Sequence, residues 1–175
     1  MLIQHLPNML TLFRVIAAPA VGLLLVLSAT GALNAEQGLP VALALFAMAC
    51  LSDVFDGILA RRMGRETLLG AVLDPVADKL LMLFAGLGLA VLVPEVSVVA
   101  PIALMLSRDL LVGGLREAAL TQNWRMEVRG LGKFKTVAQC LAIAIALADT
   151  SFVALGLRPA PTTGASALVV NTTSL

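Results

Sequence analysis

The chain has 175 residues, 59% of them apolar and 13% charged, with a mean hydropathy of +0.98. A soluble domain averages about 45–50% apolar and about 25% charged, so this balance excludes an ordinary water-soluble fold and predicts an all-α integral membrane protein, one helical bundle rather than several domains. The net charge of +1 is silent on partners; no nucleic-acid partner is expected, and the two cysteines (Cys50, Cys140) and single histidine (His5) give no disulfide framework, zinc spacing or histidine-based catalytic device.

In chain order, a short amphipathic lead-in carrying His5, Pro7 and Asn8 comes first. Apolar runs follow at about 13–30, 40–61, 67–93, 96–120 and 134–157. Each approaches or exceeds the roughly 20 residues that a spanning helix needs, so five spanning helices are expected. The first run reads as a retained helix rather than a cleaved signal, because the stretch before it is long and holds Pro7, Asn8 and only one arginine. Pro19 falls within that helix as a candidate kink. Pro40 and Pro94 mark points where the chain enters or leaves the bilayer and a missing N–H does little harm. Asp149 either marks the outer end of the fifth helix or lies inside it. The tail from Arg158 holds Pro159, Pro161 and only a short apolar stretch, 165–170, too short to span.

The loops alternate in charge. Arg61, Arg62 and Arg65 follow the second run, and Arg125, Arg129, Lys133 and Lys135 follow the fourth; the alternate connections hold Glu36 and Glu95 and no Lys or Arg. Seven bases on one side against none on the other predicts that the N-terminus and both basic loops face the cytosol. Trp124 sits where an interfacial aromatic anchor is expected.

The segment 53–78 stands apart. Asp53, Asp56, Asp74 and Asp78 lie inside or beside apolar runs, where one carboxylate costs roughly 2.5–3.5 kcal/mol near the membrane interior and four unpaired ones on the order of 10 kcal/mol. On a helix, Asp53, Asp56, Gly57 and Ala60 fall on one arc about 100° wide, while Gly70, Asp74 and Asp78 recur every four residues as one stripe. The loop between the two helices is short, which predicts antiparallel neighbours whose acidic stripes face each other within the cytosolic leaflet. Clustered carboxylates in a fixed frame are hard ligands for Mg²⁺ or Mn²⁺, and a two-ion site would neutralise a diphosphate. One carboxylate can also take a proton. Gly57, Ala60 and Gly70 clear side-chain bulk where a flat or phosphorylated ligand comes close. The plainer account is an ion-pair network with Arg61, Lys79 or Arg108 and tight helix packing at the small residues; four acids on two facing stripes exceed what those bases satisfy.

The spacing D-x-x-D-G-x-x-A-R-x8-G-x-x-x-D-x-x-x-D, filled by Asp53, Asp56, Gly57, Ala60, Arg61, Gly70, Asp74 and Asp78, resembles the signature of the CDP-alcohol phosphotransferase family. Flanking segments carry the resemblance further: Pro7 to Arg14, Asp74 to Lys79, Arg108-Asp109, Leu115-Arg116-Glu117, and Gly132 to Thr136 with Gln139. It covers about residues 5–145 and stops at the tail, where the family usually has a sixth spanning helix. The resemblance implies transfer of a phosphatidyl group from CDP-diacylglycerol to sn-glycerol 3-phosphate with release of CMP, in an inner-membrane homodimer whose site faces the cytosol. It further implies two divalent ions on Asp53, Asp56 and Asp74 with Asp78 close by, Asp78 as the general base, and a donor site at Gly57, Ala60, Arg61 and Gly70. The acceptor's phosphate calls for cations; Arg108, Arg116, Lys133 and Lys135 are the candidates, with Asp109 and Glu117 orienting the two arginines. Arg62, Arg65, Arg125 and Arg129 read as topology alone. Two other readings compete: a sister enzyme using phosphatidylglycerol as acceptor to make cardiolipin, and a cation transporter with a midplane acidic site. The transporter leaves unexplained the small residues on the acidic faces and the clustering toward one leaflet.

Overall fold

The computed structural model describes residues 6–63, 68–121 and 131–157, with side chains given for these except 6–8, 53–63, 68–72, 116, 117, 120, 121 and 131–135. Among the described residues there are five helices and no strand: α1 (Leu6–Ala29), α2 (Ala35–Met63), α3 (Leu68–Leu92), α4 (Val96–Thr121) and α5 (Leu131–Ala154). All five are long and apolar enough to cross a bilayer, and the chain is a multi-pass membrane protein. The tail, where the family usually has its sixth helix, lies outside the described residues, as do His5 and Trp124.

Helix ends follow local chemistry more closely than hydropathy does. The lead-in is not separate from the first span: the described helix α1 takes in Pro7 and runs unbroken through Pro19. It ends before Gly31, whose φ of 73° suits glycine. Pro40 does not mark the start of α2, as hydropathy suggests. Asn34 caps that helix, its Oδ1 accepting the Glu36 N–H at 3.0 Å, so Pro40 lies inside it. Pro94 does lie in a connection, between α3 and α4. α5 closes on Gly156 (φ 67°), with the Leu157 N–H reaching back to the Phe152 carbonyl at 3.0 Å. Asp149 lies inside α5.

Among the described residues α1 packs against both α2 and α3, α5 lies against α2 and α4 against α3, and α5 also touches α3. The core stripe of α2 is Ala35, Leu39, Ala42, Phe46 and Ala49, and that of α3 is Ala77, Leu81, Ala85 and Leu89, each repeating every three or four residues toward α1's Ala17, Ala18, Val21 and Leu25. Cys50 and Cys140 are half-buried against this core, as small hydrophobes. α2 and α3 touch each other, and among the described residues α1 is the larger neighbour of both. Small residues make the approach possible. A β-carbon at Gly88 would lie 2.8 Å from Leu25 and 3.3 Å from the Gly22 carbonyl oxygen, and one at Gly22 would lie 3.0 Å from Phe84. Gly86 faces Ile102 of α4 at 3.0 Å in the same sense, whereas Gly114 has nothing within 4 Å.

Gly88→Val should accordingly lower the thermal midpoint in detergent by about 5 °C, the overpacking cost at a close helix crossing. Gly114→Val should leave it unchanged. Equal midpoints for both variants would show that α1 and α3 are not held this close.

Candidate functional site: the acidic frame and its basic flank

Helix periodicity places Asp74 and Asp78 one turn apart on α3, and the structure shows what that turn meets. It meets α1. Thr11 and Arg14, three residues apart on one face of α1, address the two acids together. Thr11 Oγ1 donates to Asp74 Oδ1 at 2.5 Å. Arg14 Nη1 donates to Asp78 Oδ1 at 2.5 Å, and Nη2 reaches Asp74 Oδ1 at 3.4 Å. The arginine side chain is fully buried, while those of Asp74 and Asp78 keep 44% and 34% of their surface exposed. The acids are thus gripped from behind and open in front.

Arg14 is the functional residue that sequence reasoning missed. In the sequence it stands only at the end of the Pro7–Arg14 segment, and Arg61, Lys79 and Arg108 are the bases expected near the acids. The signal was present: an arginine inside an apolar spanning helix needs a partner of opposite charge. The structure sends the other described bases elsewhere. Lys79 leans across to α4, where a β-carbon at Gly113 would lie 2.6 Å from its Nζ. Arg108 Nη1 stands 3.5 Å from Asp109 Oδ1, the orienting ion pair anticipated from the sequence, and Gln139 Nε2 of α5 donates to Asp109 Oδ2 at 3.2 Å. Asp109 therefore ties α4 to α5 and steadies Arg108, whose own side chain is 55% exposed.

The remaining candidates are placed by backbone alone. Asp53, Asp56, Gly57, Ala60 and Arg61 lie in the last three turns of α2, and Gly70 lies in the first turn of α3. Arg61 and Arg62 are helical rather than in a loop, as are Lys133 and Lys135 in the first turns of α5; Arg116 lies on α4 about 12 Å along the axis from Arg108. The side chains of Asp53, Asp56, Arg61, Arg116, Lys133 and Lys135 lie outside the described residues, so the facing of the two acidic stripes rests on the sequence pattern. Among the described residues no three acids converge on one point; the described half of the frame is Asp74 with Asp78. That half suits a hard divalent cation: two carboxylates on one helix face, fixed on their inner side and open on their outer side.

A family model described as CDP-alcohol phosphatidyltransferase matches residues 4–171, well past residue 145, where the resemblance read from motifs stops. The chain is 42% identical over 147 residues to the CDP-diacylglycerol--glycerol-3-phosphate 3-phosphatidyltransferase of Escherichia coli (strain K12), covering 80% of this chain and 75% of that protein. The proteins of the same name from Shigella boydii and Shigella sonnei match over the same shares at the same identity. No solved structure matches.

Proposed function

This chain belongs to the CDP-alcohol phosphatidyltransferase family, and from that premise we propose that it transfers the phosphatidyl group of CDP-diacylglycerol to sn-glycerol 3-phosphate at the cytosolic face of the cell membrane. The observation that carries the reading is the Asp74–Asp78 pair, open in front and anchored behind by Arg14 and Thr11, on the very stripe that the family signature demands. The names of the similar proteins supply the two substrates.

The chemistry follows from those positions. Asp53, Asp56 and Asp74 would hold divalent ions, Mg²⁺ or Mn²⁺, with Asp78 near enough to contribute. Bound there, such ions would supply positive charge against the donor's diphosphate and the departing CMP. Gly57, Ala60 and Gly70 let the nucleotide and diphosphate lie close to the helices, with Arg61 beside them. Asp78 accepts the proton of the acceptor's primary hydroxyl as its oxygen bonds to the β-phosphorus; the bond from that phosphorus to the bridging oxygen breaks, and CMP carries the electron pair away. The remainder is positioning and charge neutralisation, as in phosphoryl transfer generally. Dimer formation enters this reading on family resemblance alone.

We assign the acceptor's phosphate to Arg108 and Arg116 of α4 with Lys133 and Lys135 of α5. The Lys79 ammonium lying over Gly113, between the turns of Arg108 and Arg116, supports that assignment. Arginine suits the role because its planar fork matches phosphate oxygens. Arg116→Ala should raise the KM for glycerol 3-phosphate by about 10- to 100-fold, the cost of a charge-assisted hydrogen bond, with the donor KM little changed; an unmoved acceptor KM would take Arg116 out of the pocket. Purified chain with labelled CDP-diacylglycerol and each acceptor in turn tests the reaction itself. Product with glycerol 3-phosphate alone is expected, and product with phosphatidylglycerol alone would make the chain a cardiolipin-forming relative instead.

A further inference from the structure

Arg14 is fully buried yet bonded to two acids that are not. Its side chain has no exposed surface and bonds both acids, so it acts through the carboxylates and is a positioning residue. Two carboxylates one helical turn apart repel each other, and both are partly withdrawn from water. A bound divalent ion would offset that repulsion, but the chain must fold and insert before any ion is captured. A buried arginine reaching both acids from α1 supplies the same compensation from inside the protein, and the Thr11 hydroxyl fixes the orientation of Asp74.

We propose that Arg14 is a built-in counter-cation, which keeps Asp74 and Asp78 assembled on α3 while no divalent ion is bound. The role rests on the ion-binding reading above. It explains why the cation sits behind the acids: placed in front, it would compete with the ion. It also explains why a spanning helix carries an arginine at all, since removing one partner of a buried pair leaves the other charge uncompensated.

The test is thermal unfolding of the purified full chain in detergent, with EDTA and with saturating Mn²⁺. Wild type should gain only a few degrees from Mn²⁺. Arg14→Met should lose roughly 10 °C in EDTA and recover at least half of that loss in Mn²⁺, so its ion-induced shift exceeds that of wild type. Arg14→Lys, which keeps the charge, should fall between them; should Arg14→Met fail to fold, a larger Mn²⁺ shift in Arg14→Lys than in wild type carries the test. Combining Arg14→Met with Asp78→Asn should cost less in EDTA than the sum of the two single changes. An Arg14→Met deficit that is the same with and without Mn²⁺, together with additive losses in the double variant, would overturn the proposal and leave Arg14 a packing residue. No Mn²⁺ shift in any chain, wild type included, would instead sink the ion-binding reading, and the double-variant coupling would still report on the pair.

Discussion

Asp78→Asn should lower kcat by about 10³-fold, the usual scale of a lost general base, while donor binding changes by no more than about threefold. The substitution is chosen because it disturbs little else. Asparagine is nearly isosteric with aspartate, and its amide oxygen can still accept from Arg14 Nη1, which now donates to Asp78 Oδ1 at 2.5 Å. The buried guanidinium thus keeps an acceptor, with Asp74 remaining at 3.4 Å. What disappears is a site able to take the acceptor's proton. Measured at saturating Mn²⁺, so that any loss of ion affinity is overcome, a fall in kcat with an unchanged donor KM isolates the proton transfer. Turnover near wild type would remove Asp78 from the base role. A matching loss in Asp74→Asn, with Asp78→Asn mild, would transfer that role one turn along α3.

The membrane class and the acidic stripes were legible because each follows from a strong constraint. A bilayer demands about 20 apolar residues per span, and a carboxylate inside one needs compensation, so both leave a pattern in the chain. Helix starts were less legible. The α2 start at Ala35 depends on the Asn34 cap, which hydropathy does not register. Neighbour order was harder still. A short loop argues that α2 and α3 lie together, yet Gly22 and Gly88 let α1 close on α3, and the polar contacts of Thr11 and Arg14 fix that approach. Those contacts join residues 60 to 64 positions apart. No local pattern specifies such a pairing; only the presence of one arginine in an apolar helix hints that a partner exists somewhere.

Exchange into EDTA should take turnover to background, and Mg²⁺ or Mn²⁺ should restore it. The reasoning is electrostatic. The donor brings a diphosphate beside four carboxylates, and Arg14, engaged behind Asp74 and Asp78 and fully buried, cannot reach forward to meet it. Without divalent cations the anionic substrate and the anionic frame repel each other at a depth where water screens poorly. The α2 half of the frame can be tested in the same assay. Asp56→Ala should reproduce the loss seen in EDTA at ordinary Mg²⁺, on the order of 10²-fold or more in turnover, and part of the activity should return as Mg²⁺ or Mn²⁺ is raised. Arg62→Ala, a basic residue assigned only to membrane orientation, should leave both activity and ion requirement unchanged. Full turnover in EDTA would mean that the acids serve Arg14 and the fold rather than an ion. Full turnover of Asp56→Ala at low Mg²⁺ would confine the ion site to α3, so that the two acidic stripes do not share it.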